Sequence, residues 1–316
     1  MGMDPRFPPH HWAVILGGSS GFGLATAHKL AEQGMNLCLV HRDRRAALRR
    51  IEPEFEKVRS HGVRVLTFNK DALDADVRAE LVDALATELG DEGRVRMLLH
   101  SIAFGNLKLV APERRGARGA LEALARRLEV DPERLREAAN DLFAEGHDAL
   151  HTVADPPVYN ERAFLDDEDF THTVHSMGTS LAGWAQALLG RKLFADDARV
   201  FGLTSEGNSV AWKGYAAVAA AKSALESVAR ALAVELAPYG VRTNVIQAGV
   251  TDTPALRAIP GHEQLVAQAR LRNPFGRLTA PRDVANAIAL LCTDEAAWIN
   301  GEVIRVDGGE HISGVS

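Results

Sequence analysis

Short apolar runs and amphipathic stretches alternate along most of this chain. "HWAVILGG" is an apolar run closed by glycine and reads as a buried strand. "GLATAHKLAEQG" follows as a helix that Gly34 stops, and "MNLCLVH" is a second strand. A charged helix over 44–60, the strand "VRVLTFN", a helix over 75–89 and a fourth strand, "RVRMLLHSI", continue the alternation. Beyond a long excursion come a helix over 167–193, the strand "ARVFGLTS", a helix over 215–237, the strand "VRTNVIQAG", a helix over 282–292 and the strand "EVIRVDGG". Apolar strands between amphipathic helices predict a parallel sheet covered on both faces. Right-handed crossovers then make a Rossmann-like, doubly wound α/β fold. Ligands of such sheets bind beyond the carboxyl ends of the strands, so functional residues are expected just after strands.

The excursion covers 105–164. "GALEALARRLEV" places Leu121, Leu124, Ala125 and Leu128 on one helical stripe. "DPERLREAANDLFAEG" follows, with Asp131 as N-cap, Pro132 at the first helical position and Gly146 as a stop. This predicts a helical hairpin inserted beside the substrate mouth. It would cap a pocket, dock a carrier, extend an oligomer interface, or merely decorate the surface. No Pro/Gly/Ser-rich linker divides the chain, so one domain over 10–316 with this insertion is expected.

Gly17, Gly21 and Gly23 space out as G-x-x-x-G-x-G between the first strand and the first helix. Glycine admits positive φ and close approach of a pyrophosphate, and the helix N-terminus offers free N–H groups. Ser19, Ser20 and Phe22 complete this loop, which is expected to bind a dinucleotide. After the second strand, where an NAD site places a carboxylate, stand His41 and Arg42, with Arg44 and Arg45 behind. A guanidinium suits a 2′-phosphate, so NADPH is expected, with NADH possible through Asp43. Asp71, followed by Ala72, is either a turn residue or an acceptor for the adenine amino group.

"GYAAVAAAKSAL" carries Tyr215 and Lys222 seven positions apart. Seven helical steps of about 100° return to nearly the same face. An ammonium beside a phenol favours phenolate and makes the phenol a better proton donor. Lys222 is also expected to hydrogen-bond the cofactor ribose. Ala217, Ala219, Ala220 and Ala221 let other groups approach.

These motifs, in the order "GGSSGFG", "LLHSIAFG", "GYAAVAAAK", "NVIQAGVTDTP" and "INGEVIRVDGG", resemble the short-chain dehydrogenase/reductase superfamily, and most of all its enoyl-acyl-carrier-protein reductase branch. The resemblance covers nearly all of the chain outside 105–164. Ordinary members place the tyrosine four before the lysine, where this chain has Val218; the enoyl branch places it seven before, at Tyr215. "HSIAF" and "QAG" also resemble that branch. The resemblance implies a backbone at Ser101, Ile102 and Ala103 lining the nicotinamide ribose, and Gly249, Val250 and Thr253 at the carboxamide and pyrophosphate. It puts Ser205, seventeen before Lys222, in the slot of a catalytic or loop-ordering hydroxyl, and gives His175 a helix-supporting role. It implies reduction of an enoyl thioester on acyl-carrier protein or coenzyme A, and a homotetramer. The alternatives are a 3-oxoacyl reductase of the same superfamily, which Val218 argues against, and a cofactor-binding scaffold without catalysis.

Composition changes this picture little. The net charge is −6, with 46% hydrophobic and 25% charged residues, and no basic face for nucleic acid. Cys38 and Cys292 lie in apolar runs and read as buried thiols, with no disulfide and no metal site. The start lacks a signal-peptide pattern and no run reaches a membrane span, so a cytoplasmic protein is expected.

Overall fold

The computed structural model describes residues 6–113, 119–160 and 162–314. Seven strands form one sheet: β1 (His11–Leu16), β2 (Asn36–His41), β3 (Val65–Asn69), β4 (Arg94–His100), β5 (Phe194–Thr204), β6 (Val241–Ala248) and β7 (Val303–Val306). Their order is β3-β2-β1-β4-β5-β6-β7, with every pair parallel. The chain runs outward from β1 to β3, then jumps back to lay β4 on the other side of β1. Leu16 pairs with Val40 on one side and His100 on the other, so three strand tips end at one level.

The unbroken apolar run of β1 follows from its central place. Trp12, Val14 and Leu16 face one core layer, with α3 (Ala75–Leu89), α7 (Ser180–Gly190) and α8 (Ala216–Glu235). Ala13 and Ile15 face the other, with α1 (Gly21–Glu32), α2 (Arg45–Arg59) and α11 (Pro281–Leu291). A strand buried on both faces favours apolar residues at successive positions, not only at alternate ones. Cys38 and Cys292 are buried free thiols, and burial pushes each up to about 12.

The helix expected over 167–193 is three pieces: α6 (Asp167–Val174), a wide π turn at His175–Thr179, and α7. Gly178 lets that turn lie on the α8 backbone, since a Cβ there would stand 2.7 Å from the Ala221 carbonyl oxygen. His175 is exposed in the turn, its Nδ1 3.4 Å from Thr179 Oγ1.

In the excursion, α4 (Gly119–Leu128) and α5 (Pro132–Ala144) form as the pattern predicts, and the Asp131 carboxylate accepts from the Glu133 N–H. The expected apolar stripe is only half used. Leu121 and Ala125 are buried, whereas Leu124 and Leu128 are 47% and 55% exposed. The excursion closes where it began, with a parallel bridge between Leu109 and Phe164. Between β6 and α11 lie α9 (Pro254–Arg257) and α10 (His262–Arg272). No helix among the described residues is long and apolar enough to cross a membrane.

At the amino ends of the strands, Asp197 joins three neighbours in the sheet. It accepts from Arg96 on β4 at 2.8 Å, from Arg199 on β5 and from Arg242 on β6 at 2.7 Å. Arg96 and Arg199 also donate to the carbonyls of Leu291, Cys292 and Thr293, the C-terminal end of α11, where positive charge is favoured. Burial works against the Asp197 charge, but the arginines prevail and hold its carboxyl below the usual range. Without the carboxylate, Arg199 and Arg242 lose their acidic partner, while Arg96 keeps Asp294 at 2.9 Å. With Asp197 itself 29% exposed, Asp197→Ala is expected to lose about 2–3 kcal/mol of stability at pH 7 in urea unfolding. A depressed carboxyl stabilises above its unfolded value of about 3.9, so the deficit should shrink once the pH falls below that value.

Candidate active site

A cleft of about 420 Å³ opens beyond the carboxyl ends of β1, β4, β5 and β6. Phe22, Ser101, Ile102, Ala103, Ser205, Tyr215, Lys222, Gly249, Val250 and Thr253 all line it. Segments up to about 230 residues apart in sequence meet there because each follows a strand whose tip the sheet brings to the same rim.

The glycine loop is shaped by contact. Gly17 has φ +83°, and a Cβ on it would stand 2.4 Å from the Ser101 carbonyl oxygen; one on Gly23 would stand 2.1 Å from the Gly17 carbonyl oxygen. The exits of β1 and β4 are thereby pressed together, with the start of α1 laid on them. Gly21 also sits at positive φ, +52°. Ser20 is the N-cap of α1, and its hydroxyl makes no capping bond. The first N–H groups of α1 have no acceptor within the helix and carry its positive end. Together with Ser19, this cradle fits the pyrophosphate of a dinucleotide.

The residues after β2 and β3 divide differently from expectation. His41 is 6% exposed, packs edge-on against Phe55 at 5.3 Å and is tied through Nδ1 to Asp43 at 2.9 Å. The expectation that its side chain meets the cofactor is corrected: β2 aims it inward onto α2. Arg42 does stay at the surface, 51% exposed, paired with the Asp71 carboxylate at 2.5 Å and stacked 4.7 Å over the Phe104 ring. Asp71 is also the turn residue, accepting from the Leu73 N–H at 3.0 Å. Ala72 is buried, and its carbonyl accepts from the Trp184 indole at 2.8 Å.

Tyr215 is not inside α8 but caps it, at φ −113° and ψ 4°, and the helix starts one residue later than the pattern predicts. Its ring lies edge-on to Trp212 at 5.6 Å and against Gly207, where a Cβ would stand 2.4 Å from the ring. Its hydroxyl is 3.3 Å from Ser205 Oγ. Burial pushes the phenol above its ordinary range, with the Ser205 bond opposing. Lys222 is 6% exposed and donates to the Leu203 carbonyl at 2.8 Å. Burial lowers its ammonium to about 8, against the pull of Glu226. The ammonium is held against the end of β5, where it also lines the cleft.

Two supports were not legible in the sequence. Glu226, one turn beyond Lys222, accepts from Thr204 Oγ1 at 2.6 Å and from Asn208 Nδ2 at 2.5 Å, holding both ends of the turn that carries Ser205. The only hint was a carboxylate in a helix otherwise rich in alanine. Arg272 forks onto Glu206, with Nη1 2.9 Å from Oε1, and reaches Glu310 at 3.2 Å. Glu310 in turn accepts from the Val250 N–H at 3.2 Å. Burial raises the Glu310 carboxyl, while the Val250 N–H and Arg272 act the other way. No local pattern announces partners so far apart. Thr251 and Gln247 also line the cleft unannounced. Its apolar wall is Phe104, Leu107, Met177, Trp212, Val218 and Ile259, and no group of three metal-ligating side chains is found among the described residues.

The family model described as enoyl-(acyl carrier protein) reductase matches residues 133–311, and that for short chain dehydrogenase matches residues 11–111. The chain belongs to the short-chain dehydrogenase/reductase superfamily. Like others of this superfamily, it is an oxidoreductase. It is 26% identical over 297 residues, 94% of this chain and 95% of the relative, to a cis-4-hydroxycyclohexanecarboxylate dehydrogenase of Sinomonas cyclohexanicum. It is 43% identical to an NADH-dependent enoyl-[acyl-carrier-protein] reductase of Aquifex aeolicus, over 32% of this chain and 37% of that protein. A 3-oxoacyl-[acyl-carrier-protein] reductase of Escherichia coli is 30% identical over 47% of this chain and 60% of its own length. Among solved structures, an enoyl-(acyl-carrier-protein) reductase of Anaplasma phagocytophilum in complex with NAD superposes with a TM-score of 0.70 at 21% identity, covering 100% of this chain and 97% of that one. That likeness is one of fold.

The lowered Lys222 gives this oxidoreductase a pH signature. Its folded value near 8 lies below the ordinary 10.5, so the unfolded chain binds the extra proton between the two. Stability attributable to this group therefore rises across that window. Lys222→Met should remove the rise, with the two unfolding curves diverging by about 3 kcal/mol between pH 8 and 10.5 when compared in urea.

Proposed function

We propose that this oxidoreductase reduces the carbon–carbon double bond of an enoyl thioester, with NADPH as reductant and acyl-carrier protein or coenzyme A as the thioester's carrier. The observation that carries this reading is the placement of Tyr215. Its hydroxyl stands 3.3 Å from Ser205, in the cleft that Lys222 lines, while the position four before Lys222 is held by the alkyl side chain of Val218 in the cleft wall. The apolar wall suits an acyl chain.

Bound along the glycine loop and over Ser101–Ala103, a reduced nicotinamide would supply hydride to the β-carbon. The chain's own residues handle the charge that then develops on the thioester oxygen. Burial keeps the Tyr215 phenol protonated at neutral pH, so it donates a hydrogen bond to that oxygen as the enolate forms, and a proton from solvent taken up at the α-carbon then gives the saturated thioester. Ser205 orients the phenol, and Glu226 orients Ser205 by holding its turn. Lys222 adds positive potential and a donor to the cofactor ribose. Leu256, Ile259 and Trp212 help exclude water.

Ser205 beside Tyr215 also supports a second reading, reduction of a 3-oxoacyl thioester, in which the same pair would donate to a ketone oxygen. Crotonyl and acetoacetyl thioesters assayed side by side with NADPH separate the two. Tyr215→Phe should lower turnover of the crotonyl thioester roughly hundred- to thousandfold, as loss of one preorganised donor does. Unchanged turnover, or reduction of acetoacetyl thioester alone, would remove the proposal.

Arg42, the first residue after β2, is an exposed cation whose guanidinium suits a 2′-phosphate. Arg42→Ala should raise the KM for NADPH about tenfold and leave that for NADH unchanged, measured by initial rates.

A further inference from the structure

The excursion after β4 lends no lining residue to the cleft from its described positions 119–160. It nevertheless reaches the site through α10. Arg270 on that helix donates twice from Nη1 to the Asp148 carboxylate, at 2.9 and 2.7 Å, and the Asp148 side chain is only 14% exposed. Gln264 donates to the Asp155 carbonyl at 2.9 Å. Gly261, which caps α10 at φ +75°, lies beneath Pro157 so closely that a Cβ would stand 2.2 Å from the proline ring. Arg272, two residues beyond Arg270, turns the other way, onto Glu206 beside Ser205 and onto Glu310 beneath Val250. The helix is thus fastened outward to the excursion and inward to the floor of the site. Leu265 on this helix, and Leu256 and Ile259 just before it, face the cleft.

We propose that the stretch 148–157 is a brace for this wall of the cleft, and that Asp148 and Arg270 are positioning residues for substrate, acting through α10 without touching it. A helix of eleven residues is marginal by itself in water, so its place depends on what it is fastened to. Segments beside binding sites commonly belong to the least stable part of a fold. The brace orders the wall before substrate arrives, which removes that ordering from the cost of binding. The kinetic part of this inference rests on the acyl-substrate reading given above; the structural part does not.

The test is a charge exchange in the full chain. Asp148→Arg, Arg270→Asp and the double variant are compared by amide hydrogen exchange over 254–272 without ligand, and by KM for crotonyl thioester at saturating NADPH. Each single variant should speed exchange in α10 and raise KM about fivefold, a coupling usual for partners in contact. The value of kcat and the affinity for NADPH, read from its fluorescence, should stay unchanged. The double variant should recover most of both losses. If a reversed charge prevents folding, Asp148→Asn keeps the shape, removes the charge and is read in the same way. Unaltered exchange in the single variants, or exchange that rises and is not recovered in the double, overturns the brace. Because exchange needs no turnover, a wrong substrate assignment and a wrong brace give different results.

Discussion

The carbonyl oxygen of Ser101 occupies the space that any side chain on Gly17 would need. This one exclusion lets β1 and β4 leave the sheet together, and the site is built on that junction. The strand order reverses there, so the segment after β4 turns away from the segment after β1 and a groove opens between them. The start of α1 is laid onto the same spot by Gly23, which approaches the Gly17 carbonyl where no other residue fits. Backbone donors, a helix dipole and the Ser101–Ala103 segment come together through packing alone, before any side chain takes part.

The side chains that complete the site are held by charge partners buried alongside them. The Ser205 turn lies between two carboxylates: Glu226 takes hydrogen bonds from its ends, and Glu206 within it is gripped by Arg272. Such pairs contribute little net stability when well formed, but removing one partner strands a charge in a place with little water. Their value here is in geometry. The phenol of Tyr215, the hydroxyl of Ser205 and the ammonium of Lys222 are kept in one small volume although they come from a cap, a turn and a helix.

Much of this architecture could be read from the chain. Apolar runs marked the strands because strands covered on both faces are filled mostly by apolar side chains, and glycines marked the tight exit of β1 because sterics allow no substitute. The Tyr215–Lys222 interval named two residues that both line the cleft, although the helical-face argument was not the reason, since Tyr215 stands outside the helix. What stayed illegible depended on distance or direction. Arg272, Glu206 and Glu310 meet from separate parts of the sequence. His41 was sought at the cofactor, but alternation along β2 turned it onto Phe55. The stripe on α4 grouped four apolar residues, of which Leu121 and Ala125 are buried while Leu124 and Leu128 stay about half exposed.

The bridge between Leu109 and Phe164 sets the two stems of the excursion side by side. A loop whose ends already meet can change its length at slight entropic expense, roughly 0.6 kcal/mol for each doubling. The appendage can therefore lengthen or shorten while the sheet beneath it keeps its shape. The neck tolerates change in length, whereas the part of the appendage that grips α10 through Asp148 does not.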